Sequence, residues 1–335
     1  MSEETAAELR VLVVKLSSLG DLFHALPAVH ELKAGLPARI DWVVQREYAE
    51  LAACCFADVE RVIAFDRHRS LTGLPAFLRQ LRAERYDLVL DMQGLLKSAL
   101  VARFARAKRR LGPSFRREGA RLFYDAVAGP RNKARHAVDE NLDMARYLGL
   151  KPGPAHFAVR APTWHTDHPR PRVALAPASR WPSKNWPPAA FAALARHLQR
   201  DYGASIFLLG SPGDRAVCDA VARELKGAVE NTAGRTRLVE MAGLLAGMDL
   251  LVSNDSGPVH MAAAFGTPAL VLFGPTDPAR TGPYGEKHRV LLAEVPCRPC
   301  FQRVCGRRAG TCLDTISPER VAAVAREMLL GQGGR

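Results

Sequence analysis

Short apolar runs alternate with amphipathic segments along most of the chain. Residues 10–16 form a run of strand type, and residues 22–36 carry apolar side chains at helical spacing. Residues 250–273 repeat this order as a buried strand, a polar loop, a short helix and a second buried strand. Such alternation is typical of a parallel sheet with helices on both faces, so it predicts an α/β fold. The remaining predicted strands are 40–44, 59–65, 88–91, 173–176 and 205–209, and the remaining predicted helices are 48–55, 74–84, 95–104, 187–199, 214–225, 238–248 and 317–330.

A proline-rich break divides this pattern into two halves. The 335 residues correspond to about two domains of ordinary size. Residues 151–171 contain five prolines and little periodicity, which indicates an interdomain linker. The pattern then restarts as a second α/β domain of similar size. We therefore predict domains at 1–165 and 166–316, followed by a C-terminal helix within 317–335.

The composition is typical of a folded globular protein without membrane-spanning helices. With 48% apolar and 24% charged residues, the chain is able to form buried cores. No apolar run approaches the ~20 residues that a membrane-spanning helix needs. The first ten residues are acidic and polar, which excludes an ordinary signal peptide. We therefore predict a cytoplasmic protein.

The positive charge is concentrated in one part of the first half. Residues 61–135 contain 18 Lys and Arg against six Asp and Glu, which is +12 of the net charge of +13. A basic surface attracts nucleic acid, anionic lipid or a phosphorylated substrate. Because the stretch lacks interleaved aromatic residues, RNP-like runs and zinc-finger spacing, we expect no nucleic acid partner. A generically basic protein without a special partner remains the alternative.

A polar loop follows the first predicted strand and carries the first candidate catalytic group. Residues 17–21 read Ser-Ser-Leu-Gly-Asp and lead directly into a predicted helix. They match neither the dinucleotide fingerprint nor the P-loop spacing. Asp21 suits two roles equally well on local sequence: an N-cap of the helix, or a carboxylate that accepts a proton from a hydroxyl nucleophile.

Two loops of the second half have the composition of an anion site. Residues 253–257 follow a buried strand and precede a helix, with Asp255 and His260 beside the helix start. Free N–H groups and the helix dipole favour anions at such a position. In residues 177–187, Arg180 and Lys184 precede another helix and are suited to neutralising a departing phosphate oxygen. The alternatives are an ordinary N-capped helix and a Pro- and Trp-rich surface loop.

Four of the seven cysteines lie within 16 residues near the end of the chain. In a cytoplasmic protein disulfides are not expected, so this grouping predicts a structural zinc or iron site with four thiolate ligands. Reduced free thiols are the alternative. The predicted ligands are Cys297, Cys300, Cys305 and Cys312.

Four motifs together resemble one family of glycosyltransferases. They are KLSSLGD at 15–21, DMQGLLK at 91–97, NDSGPVH at 254–260 and FGPTDP at 273–278. The set resembles the ADP-heptose:lipopolysaccharide heptosyltransferases of Gram-negative bacteria (glycosyltransferase family 9), and its first two motifs are most similar to heptosyltransferase I. The resemblance implies the GT-B fold, with two Rossmann-like domains facing across a cleft and the C-terminal helix packing toward the first. The cysteine segment is more similar to heptosyltransferase II and to the metal-binding finger of autotransporter heptosyltransferases.

The resemblance also implies a reaction and roles for individual residues. An inverting transferase, with no cofactor or metal for catalysis, would move L-glycero-D-manno-heptose from ADP-heptose to the Kdo region of the lipopolysaccharide inner core. Asp21 would be the general base and Lys184 would hold the diphosphate. The Kdo–lipid A acceptor is anionic and membrane-bound, which implies peripheral contact with the cytoplasmic face of the inner membrane. Donor-binding roles fall on Ser179, Arg180, Lys184, Glu240, Asp255, Ser256, Gly257, His260 and Thr276, and acceptor-binding roles on Ser18, Gly20, Arg67, Arg69, Gln93 and Arg116.

Metal-independent chemistry also fits a feature of the chain itself, because no Asp-x-Asp triplet occurs in it. Three alternatives remain open at this point. The first is a transferase of the same fold with another acceptor or nucleotide sugar, including the heptosyltransferase II type. The second is a nucleotide-sugar 2-epimerase, which would need no acceptor. The third is a non-catalytic binder of anionic lipid or nucleic acid, for which Asp21 would be dispensable.

Overall fold

The protein consists of two compact units, Met1–Arg160 and Ala161–Arg335. The computed structural model describes residues 8–67, 72–132, 134–306 and 310–331. Each unit contains one six-stranded sheet, and every strand pairing in both sheets is parallel. The predicted fold class, α/β with two Rossmann-like parallel sheets, is confirmed. Among the helices of these residues, none combines the length and the apolar character that crossing a bilayer requires.

The first sheet has the strand order β3-β2-β1-β4-β5-β6. Val14, at the end of β1, lies opposite Val43 of β2 on one side and Asp91 of β4 on the other. The strands are β1 (Leu9–Val14), β2 (Ala38–Gln45), β3 (Arg61–Phe65), β4 (Tyr86–Asp91), β5 (Ala107–Pro113) and β6 (Ala126–Ala128), and the helices are α1 (Leu19–Gly35), α2 (Arg46–Cys55), α3 (Leu74–Leu81), α4 (Leu96–Phe104) and α5 (Ala137–Tyr147).

The second sheet has the order β12-β11-β10-β7-β8-β9, which is the same winding repeated. Ser253 of β10 lies opposite Ala176 of β7 and Val271 of β11. The strands are β7 (Arg172–Ala176), β8 (Ser205–Leu208), β9 (Val229–Asn231), β10 (Leu250–Asn254), β11 (Ala269–Phe273) and β12 (Arg289–Leu292), and the helices are α6 (Pro188–Tyr202), α7 (Arg215–Ala222), α8 (Leu238–Ala246), α9 (Gly257–Phe265), α10 (Pro278–Thr281) and α11 (Pro318–Leu330).

This winding places a topological switch point in each sheet. The order of strands reverses between β1 and β4 in the first unit and between β7 and β10 in the second. Open parallel sheets bind ligands beyond the carboxyl ends of their strands at such points. The fold therefore predicts one ligand-binding edge per unit, at the loops that follow Val14 and Asp91 and at those that follow Ala176 and Asn254.

The strands next to the switch points are buried on both faces, as parallel strands between helical layers must be. Val11, Val14, Leu250 and Val252 are fully inaccessible to solvent. Complete burial of such a side chain contributes roughly 1.5–3 kcal/mol, so the strands that end at the switch points are held by apolar packing. A rigid frame of this kind can place polar loops accurately at its edge.

Helix α11 packs against α6 and β10 within its own unit. Its N-cap is Ser317, whose hydroxyl accepts a hydrogen bond from the Arg320 backbone N–H, as the Ser-Pro-Glu sequence predicts. The predicted packing of this helix toward the first domain stays a prediction.

Candidate functional site

The loop after β1 presents a carboxylate at the first switch point. Ser18 is the N-cap of α1, and Asp21 is its third residue. One oxygen of Asp21 accepts hydrogen bonds from the Ser18 backbone N–H at 2.9 Å and from the Ser18 hydroxyl at 2.7 Å. The N-cap role considered for Asp21 therefore belongs to Ser18, and Asp21 completes a capping box. Its other oxygen has no hydrogen-bond partner in the described parts of the chain, and the side chain is half-buried.

A lysine that the sequence interpretation did not select lies beneath this carboxylate. Lys15 is buried directly after β1, and its ammonium group donates to the Met92 carbonyl at 2.6 Å. Burial lowers the pKa of Lys15, and the nearby charges of Asp21, Asp91 and Glu140 oppose that change. The sequence signal that could have identified Lys15 is an ionisable residue within the apolar run of residues 10–16.

The loop after β4 is built around the buried carboxylate of Asp91. Asp91 accepts hydrogen bonds from the backbone N–H groups of Gln93 (2.8 Å) and Gly94 (3.0 Å) and from the Tyr124 hydroxyl (2.6 Å). Burial raises the pKa of Asp91, and these hydrogen bonds oppose the rise. Gly94 has φ +70°, and a Cβ atom there would lie 2.8 Å from Pro113. The turn therefore requires glycine.

Gln93 ties the two loops of this switch point together. Its side-chain oxygen accepts hydrogen bonds from the backbone N–H groups of Leu16 and Ser17, each at 3.1 Å. The observed contacts of Gln93 thus position the loop that carries Asp21. Its amide nitrogen makes no hydrogen bond with a described residue, which leaves a donor for an acceptor substrate.

The arginines predicted to bind the acceptor substrate lie at different positions relative to the first switch point. Arg116 belongs to the turn after β5, which is joined to the Gly94 carbonyl by the Arg117 backbone N–H at 2.7 Å. Arg67 follows β3, the edge strand that β2 separates from β1. The structure brings Ser18, Gly20, Asp21, Gln93 and Arg116 to one edge region and places Arg67 farther along it; Arg69 lies outside the described residues.

Three residues predicted to bind the donor form hydrogen bonds with Asp255 at the second switch point, two with its carboxylate and one with its backbone. The Lys184 ammonium group donates to Asp255 at 2.5 Å, and the Thr276 hydroxyl donates to the same oxygen at 2.6 Å. The Ser179 hydroxyl donates to the Asp255 backbone carbonyl at 3.0 Å. The side chains of Lys184 and Asp255 are 15% and 7% exposed, so this ion pair is largely shielded from water.

Trp181 lies between two cations beside this cluster. The Lys184 nitrogen is 4.6 Å from the centre of its ring, and the Arg303 guanidinium is 5.5 Å from it. The remaining cation of the loop, Arg180, is exposed. The loop therefore holds positive charge at the carboxyl end of β7, where the sequence predicts a phosphate site.

The start of α9 leaves the Gly257 N–H without a hydrogen-bond partner in the described chain, whereas Pro258 has no N–H and the Val259 N–H donates to the Ser256 carbonyl at 3.2 Å. Ser256 occupies the N-cap position without capping the helix through its side chain, and its hydroxyl lies 3.0 Å from the Ser253 hydroxyl. Ser256 thus fits the alternative of an ordinary N-capped helix by position, and it does not donate or accept a capping hydrogen bond through its side chain. Gly257 is the first helical residue, and His260 is buried on the next turn. Uncapped N–H groups at a helix start favour an anion.

Glu240 lies apart from the other predicted donor residues. It is the third residue of α8, after the edge strand β9, and β8 separates β9 from β7. Its carboxylate accepts from the Arg237 backbone N–H at 2.7 Å, and this bond and the Arg237 side chain lower the pKa of Glu240. The group is exposed and ionised at neutral pH, so it is able to accept hydrogen bonds from a hydroxylated ligand.

The predicted structural zinc or iron site is not supported. Within the described ranges, no three His, Cys, Asp or Glu side chains are grouped so that they could hold a metal ion. Cys312 is buried in the core of its unit, whereas Cys297 is exposed and Cys300 and Cys305 are half-buried. Burial raises the pKa of Cys312, and the nearby Cys305, Cys300 and Cys297 raise it further, so the four thiols lie in one region. They are not arranged as metal ligands, and Cys312 packs inward against Gly274.

The segment that contains these cysteines instead supports the loops of the second switch point. Arg298 donates to the Gly274 carbonyl at 2.8 Å, and the Phe301 backbone N–H donates to the Pro275 carbonyl at 2.8 Å. The Ser183 hydroxyl donates to the Gln302 carbonyl at 2.6 Å. The segment therefore connects the loop after β11 to the loop that carries Lys184.

Comparison with known proteins gives consistent results. The model of glycosyltransferase family 9 (heptosyltransferase) matches residues 75–309. The chain is 33% identical to lipopolysaccharide heptosyltransferase 1 of Pseudomonas aeruginosa, over 96% of this chain and 98% of that protein. It is similar to the structure of Escherichia coli heptosyltransferase WaaC with ADP (TM-score 0.79, 29% identity, 96% and 100% of the chains covered). The structure of WaaC with ADP-2-deoxy-2-fluoro heptose matches at a TM-score of 0.76, with 29% identity over 95% and 99% of the chains.

Proposed function

The chain belongs to glycosyltransferase family 9, the heptosyltransferases, and from this premise we propose that it transfers L-glycero-D-manno-heptose from ADP-heptose to the Kdo region of the lipopolysaccharide inner core. The donor proposal is supported by the ADP and the ADP-2-deoxy-2-fluoro heptose in the WaaC structures. The acceptor proposal is supported by the name of the 33% identical relative, lipopolysaccharide heptosyltransferase 1. The observation that carries the proposal is the pairing of a base with an anion site. Asp21 has an unengaged oxygen at one switch point, and Lys184, Asp255 and Thr276 adjoin an uncapped helix start at the other.

In the proposed reaction Asp21 takes the proton of the acceptor hydroxyl as that oxygen attacks the anomeric carbon of the heptose. The bond between the anomeric carbon and the phosphate oxygen breaks, the electron pair leaves with ADP, and the configuration inverts. Since attack occurs from the face opposite the leaving group, a single displacement needs one base and one anion site. The Ser18 hydroxyl and backbone N–H orient the Asp21 carboxylate for this step.

The second unit would stabilise the charge that develops on ADP. Lys184, Arg180, the Gly257 N–H and the dipole of α9 would supply positive charge in a site that is partly shielded from water, where such groups are most effective. A fixed cation and helix dipoles would then do the work that Mg²⁺ does in other transferases. Asp255 and Glu240 offer acceptors for sugar hydroxyl groups. We propose donor binding by Ser179, Arg180, Lys184, Glu240, Asp255, Ser256, Gly257, His260 and Thr276, and acceptor binding by Ser18, Gly20, Arg67, Arg69, Gln93 and Arg116.

The proposed function is tested by measuring ADP release from ADP-heptose with and without Kdo₂-lipid A. We expect release that depends on the acceptor, together with a product heavier by one heptose in mass spectrometry. ADP-glucose serves as the control donor and should be a poor substrate. Release without acceptor would contradict a transferase, and transfer only to an already heptosylated acceptor would contradict the proposed acceptor and favour the heptosyltransferase II type.

Chelation tests the proposed independence from metal ions. We expect excess EDTA to leave the transfer rate unchanged, because Lys184 and the start of α9 supply the positive charge at the leaving group. ADP should be quantified by chromatography, since the kinases used in coupled assays themselves require Mg²⁺ and would be inhibited by EDTA. Loss of activity with EDTA that Mg²⁺ restores would contradict this part of the mechanism.

A further inference from the structure

An exposed patch of leucines and cations adjoins the acceptor edge of the first unit. Leu122 is 86% exposed and Leu96 is 41% exposed, although both belong to well-packed elements. Together with the exposed residues Lys97, Arg117 and Arg121 they form what we call the Leu96–Leu122 patch. Nothing in the proposed reaction uses these five side chains.

The fold holds the patch together. Leu96 begins α4, and the 3₁₀ turn Ala120–Phe123 packs against that helix, where Ala99, Ala120 and Tyr124 form a small buried cluster. The Leu96 backbone N–H donates to the Glu118 carboxylate at 3.1 Å. These contacts fix the backbones of Leu96 and Leu122, so the two side chains stay exposed to solvent on a well-defined surface.

Charge and apolar character at this surface point to one kind of partner. Residues 94–97 and 114–123 carry Lys97, Arg116, Arg117 and Arg121 against the single carboxylate of Glu118, which already binds the start of α4. The side chains of Lys97 and Arg117 make no hydrogen bond or ion pair within the described chain. Aliphatic side chains surrounded by unpaired cations suit the boundary between acyl chains and anionic headgroups. Nucleic acid would instead require aromatic stacking partners, which this patch lacks.

We infer that the Leu96–Leu122 patch docks the protein on an anionic lipid bilayer, with the two leucines inserted among the headgroups. The location of the patch supports this inference. The benefit of docking rests on the proposed function, because only a lipid-linked acceptor has to be reached at a membrane. Leu96 lies three residues after Gln93, and Arg117 follows Arg116. A surface docked here keeps the edge that carries Asp21 beside the membrane, where the acceptor sugar lies.

Vesicle binding tests the inference without donor or acceptor. We expect the full-length protein to sediment with vesicles of phosphatidylglycerol and phosphatidylethanolamine and to remain unbound with phosphatidylcholine alone. Leu96→Ser combined with Leu122→Ser should weaken binding about tenfold or more, since both apolar anchors are lost. Lys97→Gln with Arg117→Gln should weaken it as well and reduce its dependence on salt.

Two control variants distinguish binding through this patch from non-specific binding of exposed leucines and cations to the vesicles. Leu330→Ser removes a leucine that is 59% exposed on α11, and Arg82→Gln with Arg85→Gln removes two exposed cations from the amino-end edge of the first sheet. Both should bind vesicles as the wild type does. Equal loss of binding in these controls, unchanged binding in the leucine variant, or no binding by the wild type would overturn the inference.

A second readout separates this inference from the proposed function. The leucine variant should keep wild-type turnover with a water-soluble, deacylated acceptor and lose turnover with acceptor embedded in vesicles. Failure of every acceptor with the wild type would count against the proposed function and leave vesicle binding as it was measured. Equal turnover of the variant with both forms of acceptor would overturn the docking role.

Discussion

Replacing Asp21 with asparagine is expected to lower kcat by about 10²–10⁴-fold, the range for loss of a general base. The substitution keeps the size of the side chain and leaves an oxygen that can still accept from Ser18, so α1 should remain capped. The measurement is the steady-state rate of ADP release at saturating donor and acceptor, together with the melting temperature of both proteins. We expect the melting temperature to change little, because the capping contribution at stake is only about 1 kcal/mol.

The chain provides a matched control for this experiment. Asp214 forms the same capping box with Ser211, accepting from its backbone N–H at 2.8 Å and from its hydroxyl at 2.6 Å. Asp214→Asn should therefore reproduce the structural effect of Asp21→Asn and leave turnover intact. If both variants lose activity to the same small extent, Asp21 serves only its helix and the base lies elsewhere.

The elements nearest the switch points were predictable because their apolar patterns are continuous. The apolar run predicted β10, although the strand also includes Ser253 and Asn254, which the sequence assigned to the loop. Helical spacing predicted α1 to within three residues at its start. The strands β5, β6, β9 and β12 were not predicted. β5 contains Lys108, Arg109 and Arg110, and the other three lie at sheet edges with three or four residues each. A short or partly solvated strand does not need an apolar pattern, so sequence alone does not reveal it.

Helix α5 was missed for a different physical reason. Its buried positions include Glu140, Asn141 and Asp143 beside Val138 and Leu142, so polar residues interrupt the apolar pattern that identifies a helix. Asp143 is accommodated by ion pairs with Arg135 at 2.6 Å and Arg146 at 2.9 Å. Burial of this kind depends on partners that the fold supplies. Burial of Lys15 likewise depends on a partner from the fold, because its ammonium group donates to the Met92 carbonyl. The sequence alone predicts only that Lys15 belongs to a strand.

The sequence predicted which loops form the candidate site, but not the contacts between the residues in them. Polar residues after strands identified the two edges. The structure assigns the N-cap to Ser18 and makes Asp21 part of the same capping box, and the general-base role of Asp21 stays a proposal. The cysteine spacing was misleading, because a metal site requires convergent thiols and Cys312 packs into the core. Close spacing of cysteines limits the distance between their thiols, but it does not fix the direction in which each side chain points.

Replacing Lys184 with glutamine is expected to lower kcat by about 10²–10³-fold and to weaken ADP binding. Its ammonium group donates to the Asp255 carboxylate, and it also lies over the Trp181 ring. Since the pair is largely buried, the single variant also leaves Asp255 without a counter-charge, which typically costs about 3–5 kcal/mol of folding stability. Turnover and the affinity for ADP, measured by calorimetry, must therefore be compared with the melting temperature.

Two further variants separate the chemical effect of Lys184 from its structural effect. Lys184→Gln combined with Asp255→Asn removes both charges, so it should recover much of the stability and none of the turnover. Arg303→Gln removes the other cation over Trp181 while the Lys184–Asp255 pair remains, and it should retain ADP binding. Recovery of turnover in the double variant would mean that Lys184 only balances Asp255. The positive charge at the leaving group would then have to come from other described groups at this edge, such as Arg180, Arg303 and the start of α9.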